Sequence, residues 1–171
     1  KSLWRLDSRP MASWSLVSRR CLKSTSQRLF EKLRSFMPRS CAHFKNHGGL
    51  KKAIYRLRSK LNERQFLARF DIKSYYESMD HKVLVRQLEE LGVESSDLEI
   101  IKDYLRLGDI NKRKKGILAS NRLAPLLGAL YLKDLDYLME KLVKEGKLVH
   151  YVRYMDDIVL VAKSRWKLRK A

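Results

Sequence analysis

The stretch Tyr151–Val161, YVRYMDDIVLV, sets two adjacent carboxylates, Asp156 and Asp157, between two apolar runs that alternate as strands do. Tandem aspartates repel one another and cost energy when desolvated. Something must offset that cost, either open water at a turn or a cation. Gly146 closes the preceding element, so residues 147–163 read as strand, short turn, strand, with YMDD at or beside the bend.

A second strand is written upstream in FLARFDIK, Phe66–Lys73. Phe66, Ala68, Phe70 and Ile72 share one face, and Leu67, Arg69, Asp71 and Lys73 share the other. This predicts a half-buried strand with Asp71 on its more polar face. If it pairs with the hairpin, three carboxylates converge. Mg²⁺ takes one or two protein carboxylates and completes its octahedron with water and phosphate oxygens, so such a cluster suits a site that handles phosphates. Two such ions about 4 Å apart can activate an attacking 3′-oxygen and neutralise a leaving pyrophosphate. The plainer reading stays open: a solvated turn tip, with Asp71 capping a helix or pairing with Arg69 or Lys73. His81 has no companion residues for metal ligation and reads as structural.

Between the strands the pattern is helical. Asp80 can cap a helix in which Leu84, Leu88 and Leu91 form a stripe ending at Gly92. A second helix is expected over Asp97–Leu107, stopped by Gly108. The basic turn NKRKKG comes after it, with Lys112, Arg113, Lys114 and Lys115 as candidate nucleic-acid contacts. Next is the strongest helix in the chain, starting near Leu123 because Pro125 fits only a first turn. Leu123, Leu126, Leu127, Leu130, Tyr131, Leu135, Leu138, Met139 and Leu142 lie on one stripe. Gly128 and Ala129 leave room for close backbone approach.

The chain has 171 residues, enough for one domain with a core or one domain plus an ill-packed extension, and it is 44% hydrophobic, which argues against wholesale disorder. A net charge of +19 points to a polyanionic partner, nucleic acid ahead of an anionic membrane surface. Charged residues interrupt the longest apolar helix, and the N-terminus has no apolar leader, so neither a membrane span nor a signal peptide is expected. Cys21 and Cys41 have neither disulfide-framework nor metal-site spacing, and a reducing cytoplasm is the default setting. Residues 1–50 carry 11 basic side chains against Asp7 and Glu31. A helical piece is expected over Gln27–Phe36, with Leu29, Leu33 and Phe36 on one face, but Pro10, Pro38 and Gly48-Gly49 break longer elements. This region reads as a poor core-former and a nucleic-acid-facing extension. The chain begins at Lys1 rather than Met, as a piece of something longer would.

RYMDD in a hairpin, preceded by FDIKSYYESMDH and by GILASNRLAPLLGALYLKDLD, resembles bacterial reverse transcriptases of the group II intron-like type. HFKNHGGLKKAIYRL is similar to the segment before the palm in one bacterial branch, and RWKLRKA to the segment after it, so the resemblance covers roughly residues 40–171. It implies an α+β polymerase palm, a small antiparallel β-sheet packed on helices, over 61–171. Residues 1–60 would form partial N-terminal fingers, and the chain would stop before the thumb. The implied activity is RNA-directed DNA polymerisation, with an RNA template, a DNA primer, dNTPs and two Mg²⁺ ions, or Mn²⁺ in their place. Asp71, Asp156 and Asp157 would be catalytic and would hold the metals beside the backbone of Ile72. Tyr76 would lie under the incoming sugar and disfavour a 2′-hydroxyl, while Tyr154 and Met155 would floor the primer end and the nucleotide. Core and hairpin packing are the plainer roles for these three.

The chain departs from the family before its proline-leucine helix. Ala119 and Ser120 stand where a polar residue and Gly are usual, and Ala124 replaces Ser. A Cβ in place of that Gly can block close approach to the backbone. Two alternatives therefore accompany the enzyme reading: a truncated or inactive remnant that binds nucleic acid through its charge, and an unrelated basic protein of a nucleoprotein particle. Biological role, template specificity and oligomeric state are not written in the sequence.

Overall fold

The computed structural model describes residues 16–109, 113–119 and 121–171, with side chains from Cys21 onward. The elements in chain order are α1 (Leu16–Leu33), α2 (Gly49–Lys60), β1 (Phe66–Asp71), α3 (Tyr75–Ser78), α4 (His81–Glu90), α5 (Ser95–Gly108), α6 (Leu123–Tyr131), α7 (Lys133–Lys144), β2 (His150–Tyr154), β3 (Asp157–Ala162) and α8 (Arg165–Lys170). The fold is α+β, as expected: one antiparallel sheet of order β1-β3-β2 with helices packed around it.

The hairpin forms where the alternation places it. Tyr154 opposes Asp157 across the two-residue turn Met155-Asp156, and the register runs back to His150 opposite Val161. Because side chains alternate along a strand, Tyr151, Ile158, Leu160 and Ala162 turn to α7 and α8, where they pack with Met139, Leu148 and Leu168. Val152, Tyr154 and Val159 turn the other way, against Ala42 and Ala53. β1 pairs with β3 from Phe66 opposite Ala162 to Asp71 opposite Asp157. The strand is more exposed than its alternation predicts: Leu67 is 48% and Phe70 51% accessible, and only Ala68 is part-covered. β1 is an edge strand that α8 covers at its Phe66 end, where Arg165 lies over the Phe66 ring.

The larger core is helical and lies beside the sheet. Leu84 and Leu88 of α4, Leu98, Ile101 and Tyr104 of α5, and Leu123, Leu127 and Leu130 of α6 are buried together. Asp80 caps α4 by accepting from the Lys82 and Val83 N–H groups at 2.9 and 3.3 Å. The core also takes Leu29, Phe30 and Leu33 from α1, and Met37, Cys41 and Phe44 from the segment after it. Residues 29–44 are thus core-forming, contrary to the reading from charge. The basic side chains of α1 occupy the outer face while one apolar stripe does the packing. Arg28 donates through Nε at 2.7 Å, and through Nη2, to Asp97, which also accepts from the Thr25 hydroxyl at 2.8 Å.

The long helix expected from Leu123 is two. Leu132 leaves helical geometry at φ −104° and ψ 14°, which redirects the apolar stripe. Residues of α6 go to the helical core, and Leu135, Met139 and Leu142 of α7 go to the sheet. Leu138 falls off both faces and is 52% exposed. The break brings Asp136, fully buried, under the sheet, where Arg153 of β2 meets it with Nε–Oδ1 2.8 Å and Nη2–Oδ2 2.5 Å.

Removing one partner of a buried ion pair leaves the other charged and unsolvated, at a cost of about 3–5 kcal/mol. Urea denaturation should show that loss for Asp136→Leu, and the double variant Asp136→Leu/Arg153→Met should recover most of it. A second expectation concerns pH. The Arg28 hydrogen bond holds the Asp97 carboxyl below the ordinary carboxylate range, against the opposing effect of burial. Its stabilisation is therefore fully present above the unfolded carboxyl pKa of about 3.9 and is lost as pH falls through the lower folded value. Asp97→Asn should be less stable than the parent at pH 7, with the gap closing in acid.

Candidate functional site

Asp71 is the last residue of β1 and Asp157 the first of β3, and the strand register sets them opposite each other. The Ile72 N–H donates to the Asp156 carbonyl at 3.3 Å, which ties the chain leaving β1 to the turn. The backbone thus brings Asp71, Ile72, Asp156 and Asp157 into one neighbourhood.

The turn itself is strained. Met155 has φ 57°, a left-handed conformation unfavourable for a residue with a Cβ. It is held from two sides: its N–H donates to His43 Nδ1 at 3.0 Å, and its carbonyl accepts from Arg153 Nη1 at 3.1 Å. Arg153 is the hub beneath the turn. Besides Asp136 and Met155 it donates through Nη2 to the Ala129 carbonyl at 3.2 Å, and Cys41 Sγ lies 3.3 Å away. The Tyr151 hydroxyl donates to Asp136 Oδ1 at 2.5 Å. Burial alone would lower the Arg153 pKa, but the hydrogen bond and charge of Asp136 raise it, so the guanidinium stays charged. Burial pushes the neighbouring Cys41 thiol up to about 12.

The three carboxylates differ in their surroundings. Asp157 Oδ1 accepts from Arg69 Nε at 2.8 Å and Nη2 at 2.7 Å. Among the described residues, no hydrogen bond or ion pair engages the carboxylates of Asp71 or Asp156, and no group of three His, Cys, Asp or Glu side chains is arranged to hold an ion. The register sets Asp71 opposite Asp157, with Asp156 in the adjoining turn, and of the three carboxylates Asp157 is the one met by a neighbour, Arg69, two residues before Asp71 on the same face. Carboxylates and backbone carbonyls are hard oxygen donors of the kind that Mg²⁺ takes.

Burial first, and then the charge of Asp156, raise the Tyr76 pKa. Gly128 of α6 backs the Tyr76 ring: a Cβ there would meet Tyr76 Cε1 at 3.2 Å and Tyr75 Cε1 at 3.4 Å. The Tyr75 hydroxyl donates to the Gly128 carbonyl at 2.5 Å. Tyr154 is half-buried and meets His43 edge-on, with ring centroids 6.0 Å apart. Lys112 and Ser120 lie outside the described residues. Arg113, Lys114 and Lys115 have exposed side chains on a turn fastened to Asp109, whose carboxylate accepts from the Arg113 and Lys114 N–H groups at 2.7 and 2.6 Å. Lys115 also bridges to Asp80, and His81 Nε2 lies 2.6 Å from the Gly116 carbonyl, a structural placement as expected. No described hydrogen bond or ion pair brings these basic side chains to the aspartates. Ala124 is fully buried in the helical core, with its N–H on Asn121 Oδ1 at 3.2 Å, while Ala119 is exposed.

Sequence reading did not single out Arg153, Asp136 or His43 as parts of the site. A charged residue inside an apolar strand was a visible signal at Arg153. Its partner, from a helix, could not be paired without the fold.

Residues 5–171 match the family described as reverse transcriptase (RNA-dependent DNA polymerase), and the chain belongs to that family. No curated protein matches it. Among solved structures it is similar to an apo telomerase of Candida tropicalis truncated from its C-terminal domain, with TM-score 0.62 and 14% identity over 99% of this chain and 41% of the other. It is also similar to a telomerase of Candida albicans in complex with the TWJ fragment of telomeric RNA, with TM-score 0.61 and 18% identity over 85% of this chain and 31% of the other. The chain thus spans less than half the length of either, and at these identities the likeness is one of fold.

Gly128→Ala tests the packing under Tyr76. Crowding two tyrosine rings should cost about 1–3 kcal/mol, read as a lower urea midpoint with an unchanged slope.

Proposed function

We propose that this chain is the palm, with part of the fingers, of a bacterial, group II intron-like reverse transcriptase that adds deoxynucleotides to a primer 3′-end on an RNA template. The observation that carries the reading is the junction of two distant segments. Asp71 opposite Asp157, with Ile72 bonded to Asp156, assembles hard-oxygen donors at the end of a sheet in a chain of net charge +19. The family match gives that junction its polymerase context.

In this reading Asp71, Asp156 and Asp157, with the backbone of Ile72, would hold divalent cations, Mg²⁺ or Mn²⁺. When bound, these supply charge neutralisation at the phosphates and lower the pKa of the attacking 3′-hydroxyl. Tyr76, backed by Gly128, forms a rigid wall beside Asp156 against which a 2′-hydroxyl would clash, favouring dNTPs. Met155 and Tyr154 support the primer end and nucleotide from the turn. Lys112, Arg113, Lys114 and Lys115 contact nucleic-acid phosphates, with a salt-dependent contribution to affinity. The protein's own part is positioning and electrostatics rather than covalent chemistry.

A second reading, a nucleic-acid-binding relative without chemistry, is favoured by the Arg69–Asp157 pair and by Ala119 and Ala124. One experiment separates the two. A full-length chain should extend a DNA primer on an RNA template with dNTPs and Mg²⁺, and Asp156→Asn should lower the rate by at least ~100-fold while template binding stays within about twofold. Absence of extension with Mg²⁺ and Mn²⁺, alongside intact RNA binding, would sink the polymerase reading and leave the binding one.

A further inference from the structure

The segment after α1 meets the outer edge of β2 at one isolated parallel bridge, Cys41 to Arg153. The Arg153 N–H donates to the Ser40 carbonyl at 2.9 Å, and the Ala42 N–H donates to the Arg153 carbonyl at 2.8 Å. In the turn just past that bridge, His43 Nδ1 accepts the Met155 N–H at 3.0 Å.

We propose that His43 is a positioning residue for the carboxylate turn. Its imidazole anchors the amide of left-handed Met155, and so sets where the next residue, Asp156, presents its carboxylate. Three further observations support this role. Burial first, and then the charge of Arg153, hold the His43 pKa down at about 4, so the ring is neutral and Nδ1 is free to accept at neutral pH. Nε2 is buried, close to the Pro125 carbonyl but without a hydrogen bond of normal geometry, so the Met155 amide is the ring's one strong partner, with the Cys41 thiol a weaker contact at 3.6 Å. The Met155 carbonyl is held by Arg153, so both backbone polar groups of that residue are engaged. The consequence for catalysis rests on the polymerase reading of Asp156; the consequence for the turn does not.

Amide hydrogen exchange measured by NMR on the full ¹⁵N-labelled chain tests the anchor. His43→Leu fills the site without an acceptor, and the Met155 amide should exchange about tenfold faster, the effect of losing roughly one hydrogen bond, while the Leu160 and Val161 amides are unchanged. His43→Asn puts Oδ1 near the place of Nδ1 and should restore protection to within about threefold of the parent. Unchanged Met155 exchange in His43→Leu, equal loss in His43→Asn, or faster exchange throughout β2 and β3 would each overturn the proposal. In primer extension His43→Leu should lower kcat about tenfold with the dNTP KM within about twofold, and His43→Asn should recover it. If the parent chain extends no primer, the polymerase reading fails, and the exchange data still decide whether His43 anchors the turn.

Discussion

The buried pair of Arg153 and Asp136 is the constraint on which the rest depends. Both side chains are withdrawn from water, so each must be met by groups of opposite charge or by hydrogen-bond partners in fixed places. Those partners come from across the chain: Asp136 and Ala129 from the α6–α7 region, Tyr151 and Met155 from the hairpin, Cys41 from the segment after α1. One guanidinium thereby locates the helical core, the sheet and the turn relative to one another. The break at Leu132 belongs to the same arrangement, because an unbroken helix would carry Asp136 along the axis of α6 instead of under β2.

Above that pair the turn is fastened rather than free. Met155 adopts a backbone conformation that a two-residue hairpin demands and that its Cβ opposes, and His43 and Arg153 hold it there. The strained residue lies next to Asp156, one of the acids to which the proposed function gives the metal. A carboxylate on a loose loop would sample many positions, and a cation would have to order it on binding. The helical core contributes where Gly128 lets Tyr75 and Tyr76 approach the backbone of α6.

Much of the secondary structure was legible because it obeys local periodicity. The hairpin, the strand ending at Asp71, the capped helix after Asp80 and the start of α6 at Leu123, set by Pro125 in its first turn, each have a local signal of alternation, cap or breaker. The misreadings share a cause. Charge counting made residues 29–44 read as a poor core-former although Leu29 and Leu33 share a face, because their burial depends on α4, α5 and α6 being there to receive them. The stripe through Leu138 looked continuous because periodicity cannot show a change of axis. β1 looked half-buried because alternation states which residues share a face, not whether anything covers it.

By itself the amino-acid sequence determined that Asp156 and Asp157 lie at or beside a hairpin turn, that Asp71 ends a strand able to pair with it, and that the ordered motifs are those of a reverse transcriptase family. These are properties of short segments, set by side-chain period and turn chemistry. Only the tertiary structure decided which acids stand unpaired and which is drawn to Arg69, and that His43 and Arg153 grip the turn. The Arg69–Asp157 and His43–Met155 contacts join residues 88 and 112 positions apart in the chain, and no local pattern encodes such a meeting.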